Sequence, residues 1–193
     1  TFDGIVNSDQ LIWTPELYKS VKTHVEAFFK EMVDNDEEIE LLNDEGESAH
    51  WTYFCDTDNW TLEFLEYLLE REKNEGISAV SWNELCGGAR EIWTPTFIET
   101  HKQKLIENIA DLCGNECFPW DKYWEIFKDY VNDYGVTNLF QNNTFNLTTE
   151  FIEEHKERNI WYAISGRNNL SAEILEKYKD KLDWVTISNN ESY

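Results

Sequence analysis

The sequence predicts an all-α fold, an array of about five or six units that each pair a long helix with a short one, as in an α-solenoid. Three observations predict it. Five segments begin with the same pattern of capping and apolar residues. A short phrase, in most copies a tryptophan three positions before another apolar residue, recurs between or after them. No stretch of any length alternates apolar and polar residues as a strand would.

The long helices are predicted from five segments that align column by column. They begin at Trp13, Trp60, Trp93, Leu147 and Leu170. The second residue of every copy is Thr or Ser, whose side-chain oxygen can accept from an unpaired N–H at the helix start. Proline follows in two copies at the first helical position, and four copies carry Glu next, which suits the positive end of a helix. Offsets four and five are apolar in every copy, so each helix has one face to bury.

The short helices are predicted from the recurring phrase. Its copies begin at Trp51, Trp82, Trp161 and Trp184, with weaker copies at Phe2 and Val136. Each copy is expected to bury both of its apolar residues, and the tryptophan is expected to act as a large wedge between neighbouring units. Glycine or asparagine follows most copies, which predicts that the short helix ends in the left-handed conformation.

The repeats predict a single helical-repeat domain over residues 1–193. The cleanest repeats lie at 147–190, and two units are expected to be enlarged, near 26–50 and near 106–135. The first enlargement is strongly acidic. In the second, the sequence predicts a longer helix end, a turn at Cys113–Pro119 and an extra helix that begins at Trp120.

The two clean copies, "LTTEFIEEHKERNIWYAIS" and "LSAEILEKYKDKLDWVTIS", carry a resemblance. They resemble the tandem repeat of the form L-S-x-E-F-I-x-K-x-K-D-K-[VL]-D-W-x-x-I-S found in uncharacterised proteins of bacterial viruses and giant viruses. The match is close over 147–190 and degenerate over 1–146. The resemblance implies helical repeats and a viral origin, and it says nothing about catalysis.

Charge is the strongest compositional signal. The formal net charge is −23, and residues 1–100 hold 23 acids and 6 bases, against 16 acids and 10 bases in the rest. Such a field repels nucleic acid and anionic membranes and attracts basic proteins. No apolar run approaches the roughly 18 residues of a membrane span, and no signal peptide is visible. A cytoplasmic protein is therefore expected, in the host cytoplasm if the chain is viral, while the oligomeric state stays open.

The histidines and the acidic run do not indicate a catalytic or metal site. His101 and His155 both occupy offset eight, where other copies have apolar residues, so a half-buried packing role is expected. A calcium-binding loop counted from Asp34 would need glycine at its sixth position, where Ile39 stands. The sequence therefore predicts no enzyme, no metal and no cofactor.

The cysteines are expected to be reduced and structural, because nothing in the sequence indicates secretion. Cys55 and Cys86 align with Ser165 and Ser188, a small-residue position after the apolar one in the short helix. Cys113 and Cys117 lie outside the aligned columns and lack the further ligands that a zinc site requires.

The predicted function is non-catalytic protein binding through the acidic surface. The sharper hypothesis is a viral inhibitor that mimics the charge of nucleic acid and blocks a basic nucleic-acid-binding or host-defence protein. The candidate partner-binding residues are those of the acidic extension: Asp34, Asp36, Glu37, Glu38, Glu40, Asp44, Glu45 and Glu47. A general protein-interaction scaffold is one alternative, and an enzyme with a site in one of the two enlarged units is another. Whether the charge is functional or only solubilising is left open.

Overall fold

A computed structural model describes residues 12–35, 60–75, 80–88 and 92–189. The predicted all-α class is confirmed over these residues, which form eleven α-helices and no strand. The helices are α1 (Pro15–Asn35), α2 (Leu62–Glu75), α3 (Trp82–Gly87), α4 (Pro95–Glu107), α5 (Ile109–Gly114), α6 (Trp120–Phe127), α7 (Asp133–Gln141), α8 (Thr149–His155), α9 (Trp161–Ser165), α10 (Ala172–Lys177) and α11 (Trp184–Ser188). A 3-10 helix, Lys128–Tyr130, follows α6. Among the described helices, none is both long and apolar enough to cross a bilayer.

The five predicted helix starts are confirmed by their capping bonds. In each copy, the side-chain oxygen of the second residue accepts from the N–H three residues later at 3.2 or 3.3 Å. The capping residues are Thr14, Thr61, Thr94, Thr148 and Ser171. Each bond satisfies an N–H that has no partner within its own helix. The repeated Thr or Ser of the sequence therefore fixes where these helices begin.

The later copies are shorter than the sequence predicts. Helix α8 has 7 residues and α10 has 6, and α10 ends at Tyr178 with φ −115° and ψ 17°. Helix α4 continues further but adopts nearly the same non-helical angles at His101, φ −108° and ψ 15°. Both residues stand at offset eight. This column is thus a point of bending or termination as well as a packing position.

The chain divides into two compact units, Thr1–Leu85 and Cys86–Tyr193. In the N-terminal unit, the backbones before α1 and α2 meet where the Thr61 N–H donates to the Trp13 carbonyl at 3.2 Å. Tyr18 on α1 and Phe64 on α2 are fully buried, with ring centroids 5.8 Å apart. The guanidinium of buried Arg71 donates to the Tyr18 hydroxyl at 2.9 Å. Two aligned helices therefore share one aromatic core.

In the C-terminal unit, the short helices contact one another in chain order. Helix α5 contacts α7, α7 contacts α9, and α9 contacts α11. The core beneath the last three includes Phe140, Ile152, Ile164 and Ile174. Contact between successive helix pairs is what a solenoid requires, but the arrangement of the whole chain as a solenoid, and as a single domain, stays a prediction.

The region near 106–135 differs from the sequence prediction at one point. The predicted turn is present, and α6 begins at Trp120 as expected. The longer helix end is wrong, because a separate short helix, α5, begins at Ile109. Its sequence, IADLCG, aligns with WNELCG of α3, with isoleucine in place of tryptophan. Cys113 therefore stands in the same buried position as Cys86, and placing it outside the repeat columns was wrong.

Two buried asparagines tie successive turns of the C-terminal unit together. The Asn115 side-chain amide donates to the carbonyls of Cys86, at 2.8 Å, and Gly88. The Asn142 amide donates to the carbonyls of Cys113 and Asn115, at 3.0 and 2.9 Å. In both cases the two acceptors lie 29 and 27 residues earlier in the chain. The same contact is thus made twice, one helix pair apart.

The side-chain oxygen of each asparagine also accepts hydrogen bonds within the turn that contains it. The Asn115 side-chain oxygen accepts from the N–H groups of Cys117 and Phe118 at 2.8 and 3.1 Å. The Asn142 oxygen accepts from the N–H groups of Thr144 and Phe145 at 2.9 and 3.1 Å. One planar amide therefore shapes the turn that contains it and binds the preceding turn.

At the next turn, arginine replaces asparagine. Arg167 is 1% exposed, and its guanidinium donates to the carbonyls of Leu139 and Phe145 at 3.2 and 2.7 Å. Its Nε donates to the Asn169 side-chain oxygen at 3.1 Å. The arginine side chain, which is longer than that of asparagine, thus bonds to two carbonyls near the preceding turn. The burial of a charged side chain is offset by these bonds to backbone and amide oxygens.

The tryptophan wedge is wrong for the last copy of the short-helix phrase. Trp184 is 50% exposed, and Trp161 is only partly buried, whereas Ile164 and Ile187 are 0% and 5% exposed. The isoleucine, one helical turn after the tryptophan, is the residue that enters the core. The Trp184 indole N–H instead donates to the Lys179 carbonyl at 2.8 Å, which holds the ring at the surface.

The predicted left-handed helix ends are also wrong where the structure describes them. Gly166 follows α9 with φ −76°, and Asn189 follows α11 with φ −86°. Both are ordinary right-handed conformations. The short helices end instead in turns whose polar side chains, such as Arg167, bond to neighbouring backbone groups.

Candidate functional site

The predicted partner-binding residues lie mostly outside the described residues. Asp34 lies in α1, near its end. The other seven, Asp36, Glu37, Glu38, Glu40, Asp44, Glu45 and Glu47, fall between the described ranges 12–35 and 60–75. The role of the acidic extension therefore stays a prediction. The acids whose positions the structure describes lie on the helices.

Helix α2 carries such acids on one face. Glu63, Glu66 and Glu70 are exposed and are spaced three and four residues apart, so they follow one another along the helix surface. Buried Phe64 and Leu68 lie on another side of the same helix and enter the core. None of the three carboxylates forms an ion pair with a described residue. We call Glu63, Glu66 and Glu70 the α2 acidic face, which the sequence analysis did not single out.

The C-terminal unit carries a more balanced set of charges than the N-terminal unit. Residues 1–85 hold 21 acids and 5 bases, whereas residues 86–193 hold 18 acids and 11 bases. The surface ion pairs there are Lys104–Glu107, Glu125–Lys128, Glu153–Lys156, Glu153–Lys177, Asp133–Arg158 and Glu176–Lys179, at 2.6 to 3.6 Å. Exposed pairs of this kind stabilise little but neutralise local charge. The unbalanced negative charge is therefore concentrated in the N-terminal unit.

One carboxylate of the C-terminal unit is bound by three donors. Glu153 on α8 accepts from the Tyr178 hydroxyl at 2.8 Å and from the ammonium groups of Lys156 and Lys177 at 3.2 and 3.3 Å. These hydrogen bonds, that of Tyr178 first, lower the pKa of Glu153 to about 2. The arrangement joins α8 to the end of α10. All three donors belong to this chain, so the arrangement is a structural contact between neighbouring helix pairs.

The two histidines at offset eight are partly buried and packed against aromatic rings, as predicted. The His101 ring centroid lies 4.6 Å from that of Phe97, and the His155 centroid lies 4.7 Å from that of Phe151. Desolvation by burial is the main cause that lowers the pKa of His155. A histidine held in this way is a packing residue.

The described cysteines are free thiols in two environments. Cys86 and Cys113 are fully buried, and burial, with a smaller contribution from Asp111, raises the pKa of each thiol to about 12. Such thiols are poor nucleophiles at neutral pH. Cys117 is exposed, and Cys55 lies outside the described residues. Over the described ranges, no three His, Cys, Asp or Glu side chains come together as metal ligands.

The buried polar side chains of the C-terminal unit are structural as well. Asn115, Asn142, Ser165 and Arg167 are 2% exposed or less, and all of them bond to backbone groups. The sequence analysis missed the two asparagines. The sequence did contain a signal for them. Each asparagine stands two residues after the last buried residue of a short helix, and the two asparagines are 27 residues apart.

No protein-family model matches this chain, and no curated protein or solved structure matches it either. The fold and the surface define the class to which it belongs: an all-α protein with a net charge of −23.

Proposed function

We propose that this chain is a non-catalytic protein-binding module whose partner presents lysine and arginine side chains. The observation that carries the proposal is the α2 acidic face, where three exposed carboxylates follow one another and none forms an ion pair with a described residue. If these acids served only for solubility, lysine or arginine four residues away would pair with them and stabilise the helix, as such pairs do in helices generally. The unpaired face is instead available to an external cation.

We also propose that the helix pairs of the C-terminal unit form an array. Support comes from the equal spacing of the Asn115 and Asn142 bonds and from the contacts between successive short helices. Arrays of this kind present an extended surface to which each pair contributes equivalent positions. An extended surface is suited to a protein partner and does not require a cavity.

The sharper form of the proposal is charge mimicry. A partner that binds nucleic acid presents basic side chains at the spacing of phosphates, and unpaired carboxylates can occupy those positions. The acidic extension, Asp34 to Glu47, is proposed from the sequence alone to bind the same partner. The resemblance of residues 147–190 to viral repeats favours an inhibitor of a host-defence protein over a general scaffold.

The first experiment identifies the partner by co-purification from the native host and then measures its dissociation constant. Reversal of the α2 acidic face, with Glu63→Lys, Glu66→Lys and Glu70→Lys together, should weaken binding by about 100-fold at low salt, since each charge contact contributes roughly 1 kcal/mol. The binding should also weaken steeply with salt, because surface charges are screened beyond about 8–10 Å.

The matched control makes the same change of net charge elsewhere. Glu99→Lys, Asp121→Lys and Glu157→Lys replace three exposed acids that form no ion pair with described residues. This triple variant should keep most of the affinity. Equal losses in the two triple variants would mean that only net charge matters. Full binding by both variants would exclude an electrostatic interface on α2, and the scaffold alternative would then account better for the partner.

The acidic extension needs its own variant. Reversal of Asp36, Glu38, Asp44 and Glu47 to lysine should abolish binding if the extension belongs to the interface, while helicity by circular dichroism stays unchanged. If binding is retained, the interface is formed by acids outside the extension.

A further inference from the structure

Helix α2 carries an aromatic ring between two carboxylates of the α2 acidic face. Tyr67 stands four residues after Glu63 and three residues before Glu70, so both acids are its neighbours on the helix surface. Tyr67 is only partly buried, and both carboxylates are exposed. The ring and the two acids therefore share one accessible stretch of α2.

The Tyr67 ring is held in position by the aromatic core of the N-terminal unit. Its centroid lies 6.0 Å from that of Tyr18 and 6.4 Å from that of Phe64, and the planes of Tyr67 and Phe64 differ by 21°. Tyr18 and Phe64 are both 0% exposed. Because two fully buried rings pack against it, Tyr67 does not have to be ordered when a ligand binds.

A lysine of the chain itself lies over this ring. The Lys19 ammonium, on α1, is 4.9 Å from the Tyr67 ring centroid, which is within the distance of a cation–π contact. Lys19 is exposed and forms no ion pair with a described residue. The ring is thus a place where an ammonium group is bound in this structure, and the contact is one that solvent keeps weak.

We propose that a lysine side chain of the partner protein binds over the Tyr67 ring, between Glu63 and Glu70. Lys19 competes for the same position from within the chain. The partner lysine would take the place of the Lys19 ammonium over the ring, and the two carboxylates would attract its charge. Lys19 therefore lowers the affinity for the partner, because the partner gains a contact that Lys19 loses. This inference rests on the function proposed above, to which it adds the residue that is recognised and an internal competitor.

The test titrates octalysine, acetylated and amidated at its ends, into the full chain at low ionic strength. Binding is followed by NMR through the backbone amide resonances of α2, which are present in every variant. Four chains are compared: the original, Lys19→Gln, Tyr67→Leu and the double variant. The gain in affinity from Lys19→Gln should be about two- to fivefold larger with Tyr67 in place than in the Tyr67→Leu background, which corresponds to one exposed cation–π contact.

Tyr67→Phe is the matched control, because it keeps the ring and should keep the full gain. Circular dichroism checks that each variant retains its helices. Local charge alone would give the same gain from Lys19→Gln in both backgrounds, and that result would overturn the proposal.

A second measurement leaves Tyr67 unchanged, so it does not depend on how the core tolerates a substitution there. The ring current of Tyr67 should shift the CεH2 protons of Lys19 upfield, and the Lys19→Gln variant assigns their resonance. As octalysine saturates α2, this resonance should move to the position of an exposed lysine. A Lys19 resonance that stays in place at saturation overturns the proposal but leaves the α2 acidic face as a cation-binding surface. Octalysine that shifts no α2 resonance overturns both.

Discussion

Replacement of Asn142 by alanine tests whether the side-chain amides between successive turns hold the helix pairs together. The Asn142 side chain is 2% exposed and takes part in five hydrogen bonds. Two of them go to carbonyls of the preceding turn, and three come from groups of its own turn. Each bond contributes about 0.5–1.5 kcal/mol net, and buried groups left without partners add a desolvation cost. The expected loss in the free energy of unfolding is about 3–5 kcal/mol.

A loss of this size is a large part of the roughly 5–15 kcal/mol by which a domain is stable. It should lower the melting temperature by roughly 10 °C, given about 2–4 °C per kcal/mol for a chain of this length. Urea denaturation followed by circular dichroism and by tryptophan fluorescence measures it. A second variant separates the contributions. Asn142→Asp keeps the acceptor for the turn but removes the donor to the preceding one, and it should lose nearly as much stability as alanine.

Asn146→Ala is the control, because Asn146 lies in the same turn, is exposed and forms no hydrogen bond with the described residues. It should change the free energy of unfolding by less than about 0.5 kcal/mol. A loss below about 1 kcal/mol for Asn142→Ala would refute the reasoning. In that case the turns would be held by apolar packing, and the amide bonds would be incidental to it.

Three further predictions concern single groups. Ile164→Ala should cost about 2–5 kcal/mol in urea denaturation, because its side chain is fully buried, whereas Trp184→Ala should cost less than about 1 kcal/mol; a reversed order would restore the tryptophan wedge. Cys117 should react with a thiol reagent at pH 8 within minutes while native Cys113 does not, since burial raises the pKa of Cys113 to about 12; peptide mapping that finds both labelled at equal rates would contradict this. The carboxylate of Glu153, with its pKa lowered to about 2, should contribute stability that is fully present above its usual pKa of 4.5 and lost as the pH falls through about 2; an NMR titration midpoint near 4.5 would show that its three donors do not bind it in solution.

The positions of the helix starts could be predicted from sequence because they depend on local chemistry. A threonine or serine that accepts from the N–H three residues later needs no information about the rest of the fold, and all five predicted copies make that bond. The start of α6 at Trp120 was likewise marked by the preceding proline and turn residues. The all-α class follows from the same local signals.

The packing of the short helices could not be predicted in the same way. The sequence predicts that Trp184 and Ile187 are both buried, whereas only Ile187 enters the core. Which of two apolar residues on a five-residue helix faces the core depends on what the neighbouring helix pair covers, and that information is not local. Helix α5 was missed for a related reason, because isoleucine at its first position hid its likeness to α3. The acidic extension was found from composition alone, and composition does not give the positions of its carboxylates.

The bonds made by Asn115 and Asn142 add recognition between the turns to the packing between the short helices. Helices α4, α6, α8 and α10 have 13, 8, 7 and 6 residues. In contrast, Asn115 and Asn142 each bond to carbonyls 29 and 27 residues earlier in the chain. Helix length is therefore free to vary without loss of register, which accounts for a repeat that is clear at its turns and degenerate between them. It also identifies where such a chain can be recombined. A graft cut within a helix, such as α6 or α8, would carry each amide together with its own turn and leave its two acceptors in place, and chimaeras joined there should fold. A cut between Asn142 and Phe145 would separate the amide from the N–H groups that orient it.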